Sequence, residues 1–413
     1  MNYKTPIVFC HGLLGWGEGE LFGYPYFVSA TELKKQLQDK VPPFIFTSTG
    51  PVSSLHDQAC ELFFQLKGGL TDYGEEHSKK FNHKRYSRFY GEVGDYCLPE
   101  IKEKSTKYGG KALYPEWNKE NPLDFVGHSM GAPLLTTLQQ MLADDYFNKC
   151  CGFKEHTDSS WIHSISTVSG VHNGSQLTWF LGASEETGVL KDNAKVVNFL
   201  CKLIEKIGKY QNKCRRENYI YDLHLDQWDL GDEKNYSALI KKIAETNAQF
   251  YDEEDWAMYD LTPNSMENHN KGIKEYKDTW YFSYLSKSTF SFFRIVELCI
   301  PIICHWFLWL TAFAVGNYKV KNQKWKKITK RWHKNDGMCP TEGQRFPYIG
   351  RDKESIQQQY YKSGCLQKGV WNVMKTNRFM DHAEPAMLPH FCMKKKDIKF
   401  YNNIIKIILD TRV

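Results

Sequence analysis

The sequence predicts an α/β fold with a mostly parallel central sheet and helices on both faces. Three observations carry this prediction: short continuous apolar runs end at turn residues, patterned helical segments separate them, and 41% of the 413 residues are hydrophobic. Strands buried on both faces of a parallel sheet give continuous apolar runs rather than an alternation. A chain of this composition can bury a large core.

The predicted strands come in order along the chain. TPIVFC is an apolar run that ends at His-Gly, PFIFTST resembles a second strand, and NPLDFVG leads to a third. WIHSISTVSG and TWYFSYLS are rich in β-branched and aromatic residues. These strand predictions cover residues 5–10, 43–49, 121–127, 161–170 and 279–286. Strands that alternate with helices indicate a parallel sheet.

The third strand leads into GHSMG (127–131) and then into a helical pattern. G-x-S-x-G alone is a weak signal, but a strand before it and a helix after it are the context that this motif needs. The turn would hold Ser129 in a strained conformation, with Gly127 and Gly131 giving room for the strand and helix to approach. The pattern predicts that Ser129 is a nucleophile.

Two backbone N–H groups are candidates to stabilise an oxyanion. Met130 follows Ser129 at the start of the predicted helix, and Leu13 lies in HGLLGWG (11–17), after the first strand. Backbone donors suit this task because they are fixed in place before the charge develops.

A serine nucleophile needs a histidine base, and the base needs a carboxylate. In the order serine, acid, histidine, the sequence offers Asp336 in KNDGMCP (334–340) and His382 in MDHAEP (380–385), both predicted as loop tips after strands. Spacing alone does not choose among the downstream histidines, which include His163, His172, His224, His269, His305, His333, His382 and His390.

Two insertions raise the question of lipid contact. Residues 194–209 form an amphipathic pattern, which fits a helix docked on the core or a mobile cover over an apolar site. Residues 295–316 are nearly long enough to span a bilayer, but they contain Glu297, Pro301 and His305, which are costly or disruptive at membrane depth. We expect a buried or lipid-surface helix there rather than a transmembrane span.

Charge, cysteines and the first residues set broad limits. The net charge of +6 fits attraction to an anionic surface, and no basic run interleaved with aromatics indicates nucleic acid. None of the 12 cysteines forms a CxxC pair, so we expect reduced, buried thiols, with scattered disulfides as the alternative for a secreted protein. MNYKTPIVFCHG does not have the pattern of a signal peptide, which leaves a cytoplasmic protein or a processed exported form.

The stretch DYGEEHSKKFNH (72–83) holds His77 and His83 in a strongly charged segment. Read alone, it favours a solvated loop, because its spacing is not that of a zinc finger or of an H-E-x-x-H helix.

Many stretches match one family in the same order. The chain resembles the bacterial triacylglycerol lipases of the Geobacillus thermoalkalophilic and staphylococcal type from about residue 5 to about residue 390, with the lid region and 287–330 weakest. The matching stretches are PIVFCHGLLGWG, GPVSSLHDQACE, GGLTDYGEEHSKKFNH, VGHSMG, YDLHLDQWDL, YDLT, WHKNDGMCP, KGVWN and DH.

The resemblance implies an α/β-hydrolase fold with helical lids and assigns roles. Ser129 matches the nucleophile, Asp336 the acid and His382 the base, while Leu13 and Met130 match the oxyanion donors. It also implies a structural zinc site near the lid, whose four ligand positions are Asp57, His77, His83 and Asp226. Two imidazoles and two carboxylates are a plausible tetrahedral zinc set.

Two departures from the family are visible. The family calcium site would use Glu384, but its later aspartate position is Pro389 here and the next acid is Asp397, so calcium binding is doubtful. The family's P-H-x-G segment is SGVHNG, with Val171 in place of proline.

The sequence therefore predicts a serine ester hydrolase that acts on acylglycerols at a lipid–water interface. A phospholipase or acyltransferase with the same triad is the alternative among enzymes, and a membrane-anchored, non-catalytic lipid-binding protein is the alternative outside them. We predict one α/β-hydrolase domain over 1–413, with a zinc-binding insertion at about 50–90 and 210–235 and a lid at about 175–210.

Overall fold

The structure, a computed structural model, describes residues 5–190, 221–228, 254–293, 296–299, 301–326, 329–361, 365–389 and 394–412. The predicted helix at 194–209, and with it most of the predicted lid, lies outside these residues. So do 210–220 and 229–235 of the predicted zinc-binding insertion.

The strands are β1 Ile7–Cys10, β2 Phe44–Phe46, β3 Gly69–Asp72, β4 Tyr86–Tyr90, β5 Lys107–Gly110, β6 Leu123–His128, β7 Ile162–Val168, β8 Trp280–Tyr284, β9 Ser286–Lys287, β10 Thr289–Phe292, β11 Val296–Cys299, β12 Gln358–Tyr360, β13 Trp371–Val373 and β14 Asn377–Arg378. Seven of them form the central sheet in the order β12–β13–β8–β7–β6–β1–β2. Every pair in that sheet is parallel, as predicted.

The helices are α1 Val28–Leu37, α2 Leu55–Lys67, α3 Glu75–Lys80, α4 Val93–Tyr96, α5 Pro99–Lys104, α6 Gly131–Ala143, α7 Tyr146–Cys151, α8 Leu177–Phe180, α9 Ala257–Asp260, α10 Pro263–Gly272, α11 Trp309–Asn317, α12 Thr329–Trp332 and α13 Lys394–Asp410. Short 3₁₀ turns lie at Leu21–Gly23, Gln38–Lys40, Ser159–Trp161, Asp226–Trp228, Trp306–Leu308, Gln323–Trp325, Thr341–Gln344 and Lys353–Ser355.

Both faces of the central sheet are buried under helices. In β1, Val8 and Cys10 face a core shared with α2 and α6, while Ile7 and Phe9 face a second core shared with α1 and α13. This arrangement explains why the strand reads as a continuous apolar run. The carboxyl ends of the parallel strands meet at one edge, which is where open α/β sheets place their ligand sites.

A second, three-stranded sheet holds β3, β4 and β5, of which β3 and β4 lie within the range 50–90 of the predicted zinc-binding insertion. β3 and β4 are antiparallel, with α3 and the loop to His83 between them. This small sheet positions the charged stretch 72–83 beside α2.

The apolar stretch 295–316 does not form one helix. It contains β11, a turn that begins at Pro301, the 3₁₀ turn at 306–308 and most of α11. Proline lacks the backbone N–H that a continuous helix would need, which accounts for the break. Among the described residues, no helix has both the length and the apolar character that a membrane crossing needs.

The thiols follow the prediction only in part. Cys10, Cys60, Cys151 and Cys339 are free and buried, whereas Cys97, Cys150 and Cys365 are free and exposed. Cys299 and Cys304 are joined in a disulfide, a pairing that no specific sequence signal indicated.

Candidate active site and metal cluster

Ser129 lies in a sharp turn between β6 and α6. Its φ is +56°, in the left-handed region that costs a residue with a side chain about 1–2 kcal/mol. The Ser129 N–H donates to the Val168 carbonyl (3.0 Å), and the Ser129 carbonyl accepts from the N–H groups of Ala132 and Val171 (3.1 Å each). These three bonds hold the strained turn in place.

The close approach expected at the two glycines of GHSMG is present. A Cβ on Gly127 would lie 2.5 Å from the Gly131 carbonyl oxygen, and a Cβ on Gly131 would lie 2.6 Å from the Cys10 carbonyl oxygen. A larger residue at either position would therefore push β6, α6 and β1 apart. The loop after β1 also touches the serine, because a Cβ on Gly12 would lie 2.7 Å from the Ser129 Cβ.

The structure brings Ser129, His382 and Asp336 together. The Nε2 atom of His382 is 2.9 Å from the Ser129 Oγ, and its Nδ1 is 2.9 Å from the Asp336 Oδ2. With Asp336 ionised, Nδ1 is the donor, and Nε2 accepts from the serine hydroxyl. The three residues are only 7%, 3% and 0% exposed, respectively.

One part of the loop prediction was wrong. The 334–340 loop follows the helical turn α12 rather than a strand, because a long insertion separates it from β8.

The electrostatics favour His382 as a proton acceptor. Burial disfavours its imidazolium, but the charge of the Asp336 carboxylate acts against burial and the pKa of His382 is raised well above its ordinary value. His128, whose ring centre lies 4.9 Å away, has a pKa well below its ordinary value, first because of burial and then because of His382. His128 therefore stays neutral, and His382 is the histidine that can take a proton.

Asp336 is held by donors on both of its oxygens. Oδ2 accepts from the Ser286 hydroxyl (2.7 Å) and the Gln344 amide (3.0 Å), and Oδ1 accepts from the backbone N–H groups of Met338 (3.1 Å) and Cys339 (2.8 Å). Cys339 belongs to the same loop as Asp336 and carries a thiol. Burial raises the pKa of this thiol, so it stays protonated and does not compete as a nucleophile.

The two oxyanion candidates flank the serine. Met130 follows it at the N-terminal end of α6, and Leu13 is in the loop that touches it through Gly12. Within the described part of the chain, neither the Leu13 nor the Met130 N–H donates to an acceptor, so both can serve a ligand.

A buried chain of hydrogen bonds, which sequence reasoning missed, links the Leu13 loop to the base. The Gly12 N–H donates to the Tyr26 hydroxyl (3.1 Å), which lies 2.8 Å from the His128 Nδ1, and the His128 Nε2 lies 3.0 Å from the His382 carbonyl. A carbonyl only accepts, so Nε2 carries the proton and the Tyr26 hydroxyl donates to Nδ1. His128 stands inside GHSMG, but Tyr26 gave no sequence signal.

A second cluster brings together Asp57, His77, His83 and Asp255. One ligand atom of each lies within 4.8 Å of the others. The His77 Nε2 is 3.1 Å from the Asp57 Oδ1 and 3.2 Å from the Asp255 Oδ1, and the His83 Nε2 is 3.4 Å from the Asp255 Oδ2. Two ligands bound tetrahedrally to zinc at about 2.0–2.1 Å are about 3.3–3.4 Å apart, so these spacings fit.

The orphaned atoms of this cluster also fit a cation. Among the residues that the structure describes, the Nε2 atoms of His77 and His83 and the Oδ2 of Asp255 are buried and have no partner with hydrogen-bond geometry. The Nδ1 of His83 is 2.8 Å from the Lys84 carbonyl, which fixes the proton there and leaves the lone pair on Nε2. Unpaired buried polar atoms are costly, and a metal would satisfy all three.

Asp226, expected as the fourth ligand, is not in the cluster. Its Oδ2 accepts from the Arg88 Nε at 2.7 Å and its Oδ1 from the Thr106 hydroxyl at 3.3 Å, so an ion pair occupies it. Its neighbour Gln227 faces the cluster instead and donates to the Asp57 Oδ2 at 3.1 Å. Asp255 takes the position that the sequence assigned to Asp226.

Three of the four carboxylate oxygens of the possible calcium site, Glu384 Oε2 and both oxygens of Asp397, are buried without a hydrogen-bond partner among the described residues. The Glu384 Oε1 is 3.3 Å from the Lys396 ammonium, which also donates to the Phe379 carbonyl at 2.9 Å. Burial, together with the Glu384 charge, raises the pKa of Asp397 to about 8. Carboxylate oxygens without partners are suitable ligands for a cation such as calcium, so these contacts do not exclude the site.

Comparison with known proteins gives one family match. A family model described as lipase-like, C-terminal domain, matches residues 3–412. A lipase of Staphylococcus hyicus is 25% identical over 92% of this chain and 53% of the relative, and lipase 1 of Staphylococcus aureus is 25% identical over 93% and 51%. The chain thus spans about half the length of the curated relatives it matches.

Solved structures share the fold over almost the whole chain. EstA from Clostridium botulinum has a TM-score of 0.73 and 27% identity, with 96% of this chain and 87% of that chain covered. Lipase 1 from Pelosinus fermentans has a TM-score of 0.71 and 25% identity, with 99% of each chain covered. The Staphylococcus hyicus lipase, at 22% identity and a TM-score of 0.71, also shares the fold.

Proposed function

Because the chain belongs to the lipase-like, C-terminal domain family, we propose that it is a serine carboxylic ester hydrolase acting on acylglycerols. The predicted resemblance to staphylococcal-type lipases is confirmed, and the fold is that of an α/β-hydrolase. The observation that carries the proposal is the pair of 2.9 Å hydrogen bonds that joins the Ser129 hydroxyl, the His382 imidazole and the Asp336 carboxylate.

The first half of the reaction forms an acyl-enzyme. His382 Nε2 takes the hydroxyl proton while Ser129 Oγ attacks the ester carbonyl, and Asp336 stabilises the resulting imidazolium. The N–H groups of Leu13 and Met130 stabilise the tetrahedral oxyanion. The intermediate collapses, the C–O bond to the alcohol breaks, and His382 returns the proton to the leaving alkoxide.

The second half releases the acid. Water gives a proton to His382 and attacks the acyl carbon, a second tetrahedral oxyanion forms, and its collapse frees Ser129 with the proton returned by His382. No redox partner takes part in either half.

An apolar cluster beside Leu13 supports an acyl-chain substrate. Leu190, Trp256 and Met258 form a buried cluster that packs against Leu13 and Tyr259. Apolar side chains next to an oxyanion loop suit a fatty acyl group better than a charged one. Ser129 is only 7% exposed, and we propose that covering segments move to admit the substrate.

We propose that the second cluster binds a structural zinc ion through Asp57, His77, His83 and Asp255. Four protein ligands leave no open position, which is typical of structural sites. Bound zinc would tie α2, α3 and the segment before α9 together. Metal analysis of the purified chain should give about one zinc per molecule.

The nucleophile is tested by Ser129→Ala on a p-nitrophenyl ester. Because removal of the nucleophile leaves only oxyanion and binding contributions, kcat should fall by at least about 10³-fold. Ser160→Ala, a change outside the site, is the matched control and should retain full turnover. Circular dichroism checks that both variants are folded, and unchanged turnover in a folded Ser129→Ala protein would refute the proposal.

The substrate class needs a separate assay. Triacylglycerol and phosphatidylcholine are offered as emulsions, each with and without an acceptor alcohol. We expect fatty acid released from triacylglycerol to be the main product. Faster release from phosphatidylcholine would assign a phospholipase, and acyl transfer to the alcohol in preference to water would assign an acyltransferase.

A further inference from the structure

An exposed apolar ridge lies on the insertion between β8 and Asp336. We use this name for Ile302, Trp306, Trp309, Leu310 and Phe313, which are 86%, 77%, 44%, 68% and 49% exposed. Trp306, Leu310 and Phe313 recur on successive helical turns of the 306–317 segment and so share one face. Large apolar side chains grouped on a surface mark an interaction site.

The residues around the ridge are basic. Residues 301–326 include four lysines and no aspartate or glutamate, and the exposed lysines are Lys319, Lys321, Lys324 and Lys326. Four acids of other segments face this region: Glu297 is buried, Asp381 pairs with His305, Glu267 pairs with Lys324, and Glu185 accepts from the backbone N–H of Lys321. The outer surface beside the ridge therefore carries positive charge.

The ridge is anchored on the loops that carry the acid and the base. The backbone N–H and the Nδ1 of His305 each lie 2.7 Å from the carboxylate of Asp381, the residue before His382. A Cβ on Gly337, the residue after Asp336, would lie 3.1 Å from the Leu308 Cβ. Leu308 also packs in a buried cluster with Ala383. These contacts hold the ridge close to the triad.

We propose that the ridge docks the protein on the surface of an anionic phospholipid bilayer. Tryptophan, phenylalanine and leucine enter the interface between headgroups and acyl chains, and the flanking lysines bind the negative headgroups. A surface of this mixed chemistry fits lipid better than a second copy of the chain, because two such surfaces would oppose lysine to lysine. The inference extends the proposed function by naming the surface that brings the triad to lipid.

Vesicle flotation tests the ridge in the full chain with Ser129→Ala, so that no lipid is hydrolysed. The vesicles are phosphatidylcholine alone, or phosphatidylcholine with about one third phosphatidylglycerol, a content that gives a negative surface potential. Trp306→Asp with Leu310→Asp should weaken binding to the anionic vesicles by at least about tenfold, because charge opposes entry into the interface. Val93→Asp with Leu98→Asp, at positions 55% and 53% exposed outside the ridge, is the matched control and should bind as the parent does.

Lysine substitutions separate charge from apolar contact. Lys319→Glu with Lys321→Glu should weaken binding to anionic vesicles. Added salt should likewise weaken the binding of the parent protein, which carries only Ser129→Ala, because salt screens the lysine charges. Equal binding of the parent to neutral and anionic vesicles would overturn the anionic assignment.

Three further outcomes decide the proposal. Ridge variants that float as well as the control would overturn it. So would a dimer in analytical ultracentrifugation that the ridge substitutions dissociate, because a second copy would then be the partner. With Ser129 restored, the ridge variants should hydrolyse a soluble ester at the rate of the unsubstituted protein. This assay separates a failure of the docking proposal from a failure of the proposed triad.

Discussion

Two hydrogen bonds of 2.9 Å join residues that are up to 253 positions apart in the chain. The side chains of Ser129, His382 and Asp336 are almost fully buried, which strengthens the interaction between the Asp336 carboxylate and His382, because charge interactions are much stronger away from water. Asp336 has donors on both oxygens, so the carboxylate that orients His382 is itself fixed. At this scale the sequence motifs, together with the family resemblance, named Ser129, Asp336 and His382 as candidates, and the structure brings these three side chains together, while their catalytic roles stay a prediction.

Asp336→Asn tests the role of the acid. The substitution keeps the shape of the side chain but removes the charge, so kcat should fall by about 10²–10⁴-fold. The Asp336 carboxylate raises the pKa of His382, so its loss lowers that pKa. Because the protonated imidazole is inactive as a base, the acid limb of the kcat/KM profile should move to lower pH. An acid limb that stays in place or moves to higher pH would contradict the assignment. Asp352→Asn, at an exposed position, serves as the control.

At the scale of elements, turns and insertions position the residues of the triad and of the Asp/His cluster. The β6–α6 turn fixes Ser129, and the hydrogen bonds through Tyr26 and His128 couple the loop after β1 to the base. The insertion with β3 and β4 brings His77 and His83 to Asp57 on α2. Here sequence reasoning failed for Asp226, because residues on one short turn face different ways, and only the tertiary fold shows that Gln227 rather than Asp226 faces the cluster of Asp57, His77, His83 and Asp255.

A pair of aspartate variants tests the corrected ligand set. Asp255→Asn should reduce zinc content and lower Tm, because metal binding to the folded state adds to the free energy of unfolding. Asp226→Asn weakens the ion pair with Arg88, although Arg88 retains its contact with Asp222. The substitution should lower the free energy of unfolding by about 1.5–3 kcal/mol and leave the zinc content unchanged. Zinc analysis and thermal melting measure both. Loss of zinc in Asp226→Asn with retention in Asp255→Asn would reverse the assignment.

At the scale of the whole molecule, the core is the seven-stranded parallel sheet, which is buried on both faces and has the candidate site at the carboxyl edge of its strands. The strands predicted at 5–10, 121–127 and 161–170 contain or overlap β1, β6 and β7, because uninterrupted apolar runs leave little choice of conformation. Two features escaped prediction for physical reasons. Asp255 stands among several acids with no local pattern to single it out, and the 295–316 stretch is broken near Pro301 in a way that average hydrophobicity does not reveal.

The measurement that tests the central claim most directly is labelling with diethyl p-nitrophenyl phosphate, followed by mass spectrometry. An activated Ser129 attacks phosphorus and releases p-nitrophenolate, which leaves a stable phosphoryl ester on its oxygen. We expect one equivalent of label, located on Ser129, together with loss of ester hydrolysis, and no label in a folded His382→Ala variant. Full inactivation with the label on another residue, or unlabelled protein that still hydrolyses esters, would contradict the account.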